Sequence, residues 1–160
     1  MSLDIRLAYN DTESVAALFS KYIKLLTDLE SGFLDYLKIQ DYDSEIRELG
    51  EKYGLPGGRL YIAYFENQAA GCIALRKISG SECEMKRLYV EPQFRHCGIG
   101  NALVRLIIND AREIGYKYML LDTLPALNDA IKLYEKAGFY RIPPYNDSPV
   151  KNTVYMKLEL

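Results

Sequence analysis

Apolar residues recur along this chain with two different periods, and the changes between them mark its elements. Val15, Leu18, Phe19, Tyr22, Ile23 and Leu26 fall three and four apart, the stripe of an amphipathic helix, and Asn10 with Glu13 three residues later forms a start signal for it. A second stripe, Ile99, Leu103, Leu106, Ile107 and Ile114, stops at Gly115, which suits a left-handed C-terminal residue. Shorter runs rich in apolar and aromatic residues predict strands at Ile5–Ala8, Arg59–Phe65, Ala69–Ile78, Glu82–Val90, Tyr118–Asp122, Phe139–Ile142 and Thr153–Leu158. Glu66-Asn67-Gln68 joins the second and third of these as a hairpin, and Leu55-Pro56-Gly57-Gly58 is a turn. Between Asp28 and Tyr53 eight acidic residues alternate with apolar ones, and the latter part, from about Ser44, reads as a helix. A short helix is expected from Asn128 to Ala137, and Pro143 to Pro149 form a proline-rich loop.

The unit from Glu82 through the helix that starts at about Gly98 to Asp122 is strand, helix, strand, which predicts a parallel pair joined by a right-handed crossover. Hairpins on either side make the sheet mixed. With 160 residues, no internal repeat and no low-complexity linker, the chain is expected to be one domain, residues 1 to 160, of α/β (α+β) class. Hydrophobic residues make up 49% and charged residues 26%, ordinary for a globular protein. The net charge of −2 supplies no basic field, so neither nucleic acid nor an anionic membrane is an expected partner. No apolar run approaches the roughly 20 residues of a membrane span, and no basic-then-apolar signal opens the chain. Cys72, Cys83 and Cys97 are odd in number and lack Cys-x-x-Cys spacing, so no disulfide framework or metal site is expected and a reducing cytoplasm fits best.

The most specific stretch is Leu88-Tyr89-Val90-Glu91-Pro92-Gln93-Phe94-Arg95-His96-Cys97-Gly98-Ile99-Gly100. It runs from a strand through two glycines into a helix, where unpaired backbone N–H groups and a positive dipole end favour an anion and absent side chains let it approach. Arg95-x-x-Gly98-x-Gly100 after Val90-x-Pro92 resembles the acyl-CoA pyrophosphate loop of the GNAT superfamily of N-acetyltransferases. Asn128-Asp129-Ala130-Ile131-Lys132-Leu133-Tyr134-Glu135-Lys136-Ala137-Gly138-Phe139 resembles that family's later motif. The two motifs and their strands span roughly Gly71 to Ile142. The resemblance implies a mostly antiparallel sheet flanked by helices, with a central parallel pair that splays into a V. It further implies acetyl-CoA as acyl donor, bound by main chain at Leu88, Tyr89 and Val90, by Arg95, and by the amides of His96, Cys97, Gly98, Ile99, Gly100 and Asn101. Asn128 is implied at the cofactor too, although Asn at that position also suits a helix N-cap.

Two residues are candidates for chemistry. On a regular strand Glu84 shares a side with Leu88 and Val90, which makes it a candidate base for the acceptor amine unless a bulge intervenes; the bland alternative is a surface charge paired with Lys86 or Arg87. Tyr134 matches the tyrosine that the family places near the sulfur of CoA, against a plain core tyrosine. His96 and Cys97 are read as bystanders rather than as a nucleophile and its base. The expected activity is N-acetyl transfer to a primary amine of a small molecule by direct transfer in a ternary complex. Alternatives are a protein or peptide amine, or a noncatalytic acyl-CoA sensor; a homodimer is possible. A dinucleotide site is disfavoured because Leu103 stands where the last glycine would fall. The acidic stretch from Asp28 to Glu51 and the loop around Tyr145 are expected to flank the acceptor, and excess carboxylates there would suit a cationic amine.

Overall fold

The computed structural model describes residues 2–39 and 41–160. Strands β1 (Leu3–Leu7), β2 (Arg59–Phe65), β3 (Gln68–Lys77), β4 (Glu82–Val90), β5 (Tyr118–Thr123), β6 (Tyr140–Ile142) and β7 (Val154–Glu159) form one sheet. Its spatial order is β1-β2-β3-β4-β5-β7-β6, and every pairing is antiparallel except β4 with β5. The helices are α1 (Thr12–Leu29), α2 (Phe33–Ile39), α3 (Tyr42–Arg47), α4 (Leu49–Lys52), α5 (Ile99–Ile114) and α6 (Asn128–Ala137).

The two long helices cover opposite faces of the sheet, as their apolar stripes require. Val15, Leu18 and Phe19 of α1 pack with Leu49 and Tyr53 over Leu60, Ile62, Cys72 and Ala74. On the other face Ile99, Leu103 and Ile107 of α5 and Ile131 and Tyr134 of α6 pack over Ile73, Leu75, Met119 and Met156. A third cluster, Leu26, Phe33, Tyr36, Leu37, Leu124 and Val150, ties the end of α1 and α2 to the segment after β5 and to the loop before β7. Gly115 ends α5 at φ 108°, the left-handed stop expected of it.

Other local expectations are corrected. Asn10 does not cap α1, which starts after Asp11, and the helix expected from Ser44 is broken at Glu48 into α3 and α4. Asn128 is not a cap either: the N-cap of α6 is Leu127, and the Asn128 side chain makes no capping bond.

What positions the site is an irregularity in β4. Ala74 pairs with Lys86 but Cys72 pairs with Tyr89, so two residues of β3 span three of β4. The surplus is absorbed at Arg87, whose φ of 60° is left-handed; for a residue with a Cβ this costs on the order of 1 kcal/mol or more. Such a bulge reverses the side-chain alternation. Cys83 and Met85 before it, and Leu88 and Val90 after it, all face α5, whereas Tyr89 faces α1. Glu84 and Lys86 therefore point to the face opposite Leu88 and Val90, which corrects the alignment expected of a regular strand.

The strain is held by an ion pair. The buried Arg87 donates to Glu45 of α3 from Nε at 2.9 Å and from Nη2 at 3.0 Å, and Lys52 Nζ lies 2.5 Å from the same carboxylate. Burial disfavours the Glu45 carboxylate, but Arg87 and Lys52 outweigh it and hold its pKa down from 4.5 to about 2. A carboxyl that is more acidic in the folded state stabilises the fold above its ordinary pKa and ceases to do so as pH falls through the lower one. Stability of about 3 kcal/mol, in order of magnitude, should thus be lost as acid takes the protein from pH 4.5 towards 2. In urea unfolding, Glu45→Gln should be less stable than the parent at neutral pH and show a flatter acid dependence. Parallel pH profiles for the two proteins would contradict this role for the pair.

Candidate functional site

β4 and β5 run together only from Glu82 opposite Tyr118 to Glu84 opposite Leu120. Beyond that point β4 stays with β3 and β5 stays with β7, so the two parallel strands separate into a fork. The bulge falls just past the last paired residue, and the added bend and twist at a bulge carry β4 away from its neighbour. From Leu88 onward the edge of β4 that faces β5 has no strand paired with it among the described residues, as at a sheet edge.

A groove of about 630 Å³ opens along this fork, between α1 and α6. Its floor is Leu88, Tyr89 and Val90, and its far end is Arg95, His96, Gly98, Ile99, Gly100 and Asn101. After a single 3₁₀ turn at Pro92–Phe94, the chain passes through left-handed conformations at His96 (φ 63°) and Gly98 (φ 82°) into the first turn of α5. Alternation of this kind curls successive N–H groups around a concavity that suits phosphate. A Cβ on Gly98 would meet nothing within 4 Å, so the groove above the loop is open. Arg95 donates from Nε to the Val90 carbonyl at 3.1 Å, which ties the loop to the strand end. Asn128 lines the groove opposite; Cys97 is exposed and does not.

A smaller cavity of about 30 Å³ lies further along the fork, lined by residues of α1 and α2, by Met85 to Leu88 of β4, by Leu121 to Leu124 after the fork, and by Tyr134. Tyr22, Leu88 and Tyr134 border both spaces, so Tyr134 stands at their junction. It packs edge-on against Phe139, with ring centroids 5.9 Å apart, and burial raises its pKa well above that of a free phenol. Its hydroxyl has no hydrogen-bond partner among the described residues, and it keeps its proton at neutral pH.

Glu84 lines neither space. Its carboxylate accepts hydrogen bonds from Arg76 Nε at 2.6 Å and from the Tyr145 hydroxyl at 2.6 Å. Burial opposes its charge, but Lys86, Arg76 and the Tyr145 bond together lower its pKa. The groups that do reach the smaller cavity are Lys86 from one arm of the fork and Asp122 from the other. Asp122 Oδ2 accepts from the Tyr36 hydroxyl and from Asn146 Nδ2, the latter at 2.7 Å. Burial, reinforced by the Arg87 guanidinium, brings Lys86 down to about 8. These positions were overlooked in the sequence, where the available signal was a polar pair set inside apolar strand: Met85-Lys86-Arg87-Leu88 and Leu121-Asp122-Thr123-Leu124. Of the eight acidic residues between Asp28 and Glu51, none lines either space, and Glu45 is committed to Arg87. The acidic stretch therefore presents no charge to this site. Among the described residues no helix is long and apolar enough to cross a membrane, and no group of three or more His, Cys, Asp or Glu is placed to hold a metal ion.

The model of the acetyltransferase (GNAT) family matches residues 23–139. An N-acetyltransferase of Schizosaccharomyces pombe is 42% identical over 126 residues, covering 78% of this chain and 77% of that protein. Among solved structures, an acetyltransferase from Streptococcus agalactiae superposes with a TM-score of 0.78 over 99% of this chain and 98% of its own, at 23% identity. A GNAT family acetyltransferase from Elizabethkingia anophelis with acetyl-CoA bound is 26% identical, with a TM-score of 0.57 over 71% of this chain and 82% of its own.

If the loop is an anion seat, inorganic pyrophosphate at millimolar concentration should slow amide hydrogen exchange at residues 98–102 in the full chain. Gly100→Asp, which sets a carboxylate beside those amides while its Cβ meets only Leu133 at 3.4 Å and Val90 at 3.9 Å, should abolish that protection without unfolding the protein. Equal protection in both proteins would remove the loop from the site.

Proposed function

The chain belongs to the GNAT family of acetyltransferases, and from that premise we propose that it moves the acetyl group of acetyl-CoA onto the primary amine of a small molecule by direct transfer in a ternary complex. The observation that carries this reading is the junction: a long groove that starts at an anion-favouring helix end runs along unpaired strand edge and meets a small cavity at Tyr134. Bound there, acetyl-CoA would supply an activated thioester. The diphosphate belongs with the amides of residues 98–101 and with Arg95, and the amide-rich arm with the open edge at Leu88 to Val90, where it completes the ladder as an added strand would.

In the reaction the amine nitrogen bonds to the acetyl carbon, the carbon–sulfur bond breaks, and the nitrogen loses a proton while sulfur gains negative charge. A free amine with pKa near 10.4 is mostly protonated at pH 7, a handicap of roughly 4 to 5 kcal/mol. The apolar walls of the cavity, Leu26, Phe33, Met85, Leu121 and Leu124, reduce that handicap by disfavouring the ammonium form. Asp122 takes the role of proton acceptor in place of Glu84, because it is the carboxylate that borders the cavity. Both hydrogen bonds to it fall on Oδ2, and Oδ1 has no donor among the described residues. It accepts the proton as the new bond forms, when the nitrogen becomes strongly acidic. Glu84 holds Arg76 and Tyr145 in place behind it.

Tyr134 serves the departing sulfur. A phenol whose pKa is raised by burial is a poor proton source, so its part is a hydrogen bond to the thiolate rather than full transfer. The small cavity supports a small acceptor, since only a group of a few atoms fits beyond Tyr134. Thiol release from acetyl-CoA across a panel of amines and amino acids tests the activity. Tyr134→Phe, which keeps the ring against Phe139, should lower kcat about tenfold or more while acetyl-CoA affinity stays within about twofold. An unchanged kcat would take Tyr134 out of the chemistry.

A further inference from the structure

The smaller cavity holds charges of both signs, one from each arm of the fork, and its polar groups are incompletely satisfied. Lys86 is buried, with its side chain 8% exposed, and it makes no hydrogen bond among the described residues. The nearest carboxylate oxygen, Glu84 Oε1, lies 3.9 Å away and already accepts Arg76 at 2.6 Å, while Oε2 accepts Tyr145. The Arg87 guanidinium beside Lys86 is matched by Glu45. Lys86 thus brings three N–H donors to the cavity with no acceptor of their own, an arrangement that disfavours the charge unless something else supplies one. In the same lining Thr123 is 7% exposed, and its buried Oγ1 has no hydrogen-bond partner among the described residues. A buried hydroxyl left unsatisfied is unfavourable, and a ligand oxygen within reach removes that cost. Across the fork, Asp122 offers Oδ1, which accepts no hydrogen bond among the described residues.

We infer that the acceptor is a free amino acid, its amine held at Asp122 and its carboxylate received by the ammonium of Lys86 and the hydroxyl of Thr123. This rests on the acetyl-transfer reading and narrows it to a substrate class. A carboxylate brings two oxygens to donors that otherwise have none, and a charge-assisted bond from Lys86 is of the strong kind. The same amine without its carboxylate leaves both groups unsatisfied. A polyamine would set a second cation against Lys86 and Arg87, which is repulsive. The acidic stretch, which suggested a cationic acceptor in the sequence, gives this lining Phe33 and Tyr36 but none of its carboxylates.

The test uses the full chain saturated with CoA and a calorimetric titration with the twenty common amino acids, each paired with its decarboxylated amine, followed by acetyl transfer to the same compounds. At least one amino acid should bind about tenfold or more tightly than its amine partner, and that amino acid should be acetylated. Lys86→Met and Thr123→Val should each reduce its affinity, by about tenfold and severalfold respectively, while affinity for CoA and for the paired amine stays within about twofold. Lys86→Arg, which keeps the charge, should retain most of the preference. Binding that ignores the carboxylate, or a preference that survives both Lys86→Met and Thr123→Val, overturns the inference. A carboxylate preference in a protein that transfers no acetyl group to any compound would keep the anchor and overturn the acetyl-transfer reading, so the two failures are distinguishable.

Discussion

One surplus residue in β4 sets the geometry of everything near the site. Arg87 absorbs it in a left-handed conformation, and the buried bond to Glu45 keeps it there. The bulge turns Leu88 and Val90 to the α5 face, ends the pairing with β5 after Glu84, and leaves a length of strand edge open in the middle of an otherwise continuous sheet. An unpaired edge is ordinarily a liability. Here it is enclosed between α1 and α6, so access is restricted to a ligand that can thread a groove. The same ion pair anchors the short helices α3 and α4 to the sheet, which links the acidic segment to the fold rather than to substrate.

The fork also divides the labour of the site. Its α5 end is built from main chain: amides at a helix start, a positive-φ glycine, and a strand edge that β5 has left. Main chain has little freedom to rearrange and suits a ligand whose recognition is the same in every turnover. The other end is built from side chains, Lys86, Asp122, Thr123 and Tyr36, carried on β4, β5 and the short helix α2, whose Phe33, Tyr36 and Leu37 pack in the third, smaller cluster. Tyr134, held by its contact with Phe139, is where the two meet.

Much of this was legible in the sequence because it depends on local rules. The glycines at 98 and 100, the stop at Gly115, the strand-helix-strand unit and the short helix before Gly138 each carry a spacing or backbone requirement that a neighbouring residue cannot fake. What failed depends on contacts far apart in the chain. Asn10 and Asn128 have the chemistry of caps, but α1 starts one residue later, after Asp11, and Asn128 is already the first residue of α6, after Leu127. Glu84 was placed on the wrong side because the bulge is compelled by Glu45, 42 residues from Arg87, and nothing within β4 announces it. The charges of the acceptor cavity come from two strands that become neighbours only through the crossover, and each alone looks like an ordinary polar residue.

On the proposed reading, the diverging strands β4 and β5 hold an acyl-CoA in extended form, with its diphosphate on the first turn of α5. A crystal structure of the protein grown with acetyl-CoA measures this directly. Diphosphate oxygens should lie within hydrogen-bond distance of the amides of residues 98–101, the arm should pair with β4 at Leu88 to Val90, and the thioester should sit beside the Tyr134 hydroxyl. A ligand bound elsewhere, or a fork closed by its own strands in that crystal, would contradict it.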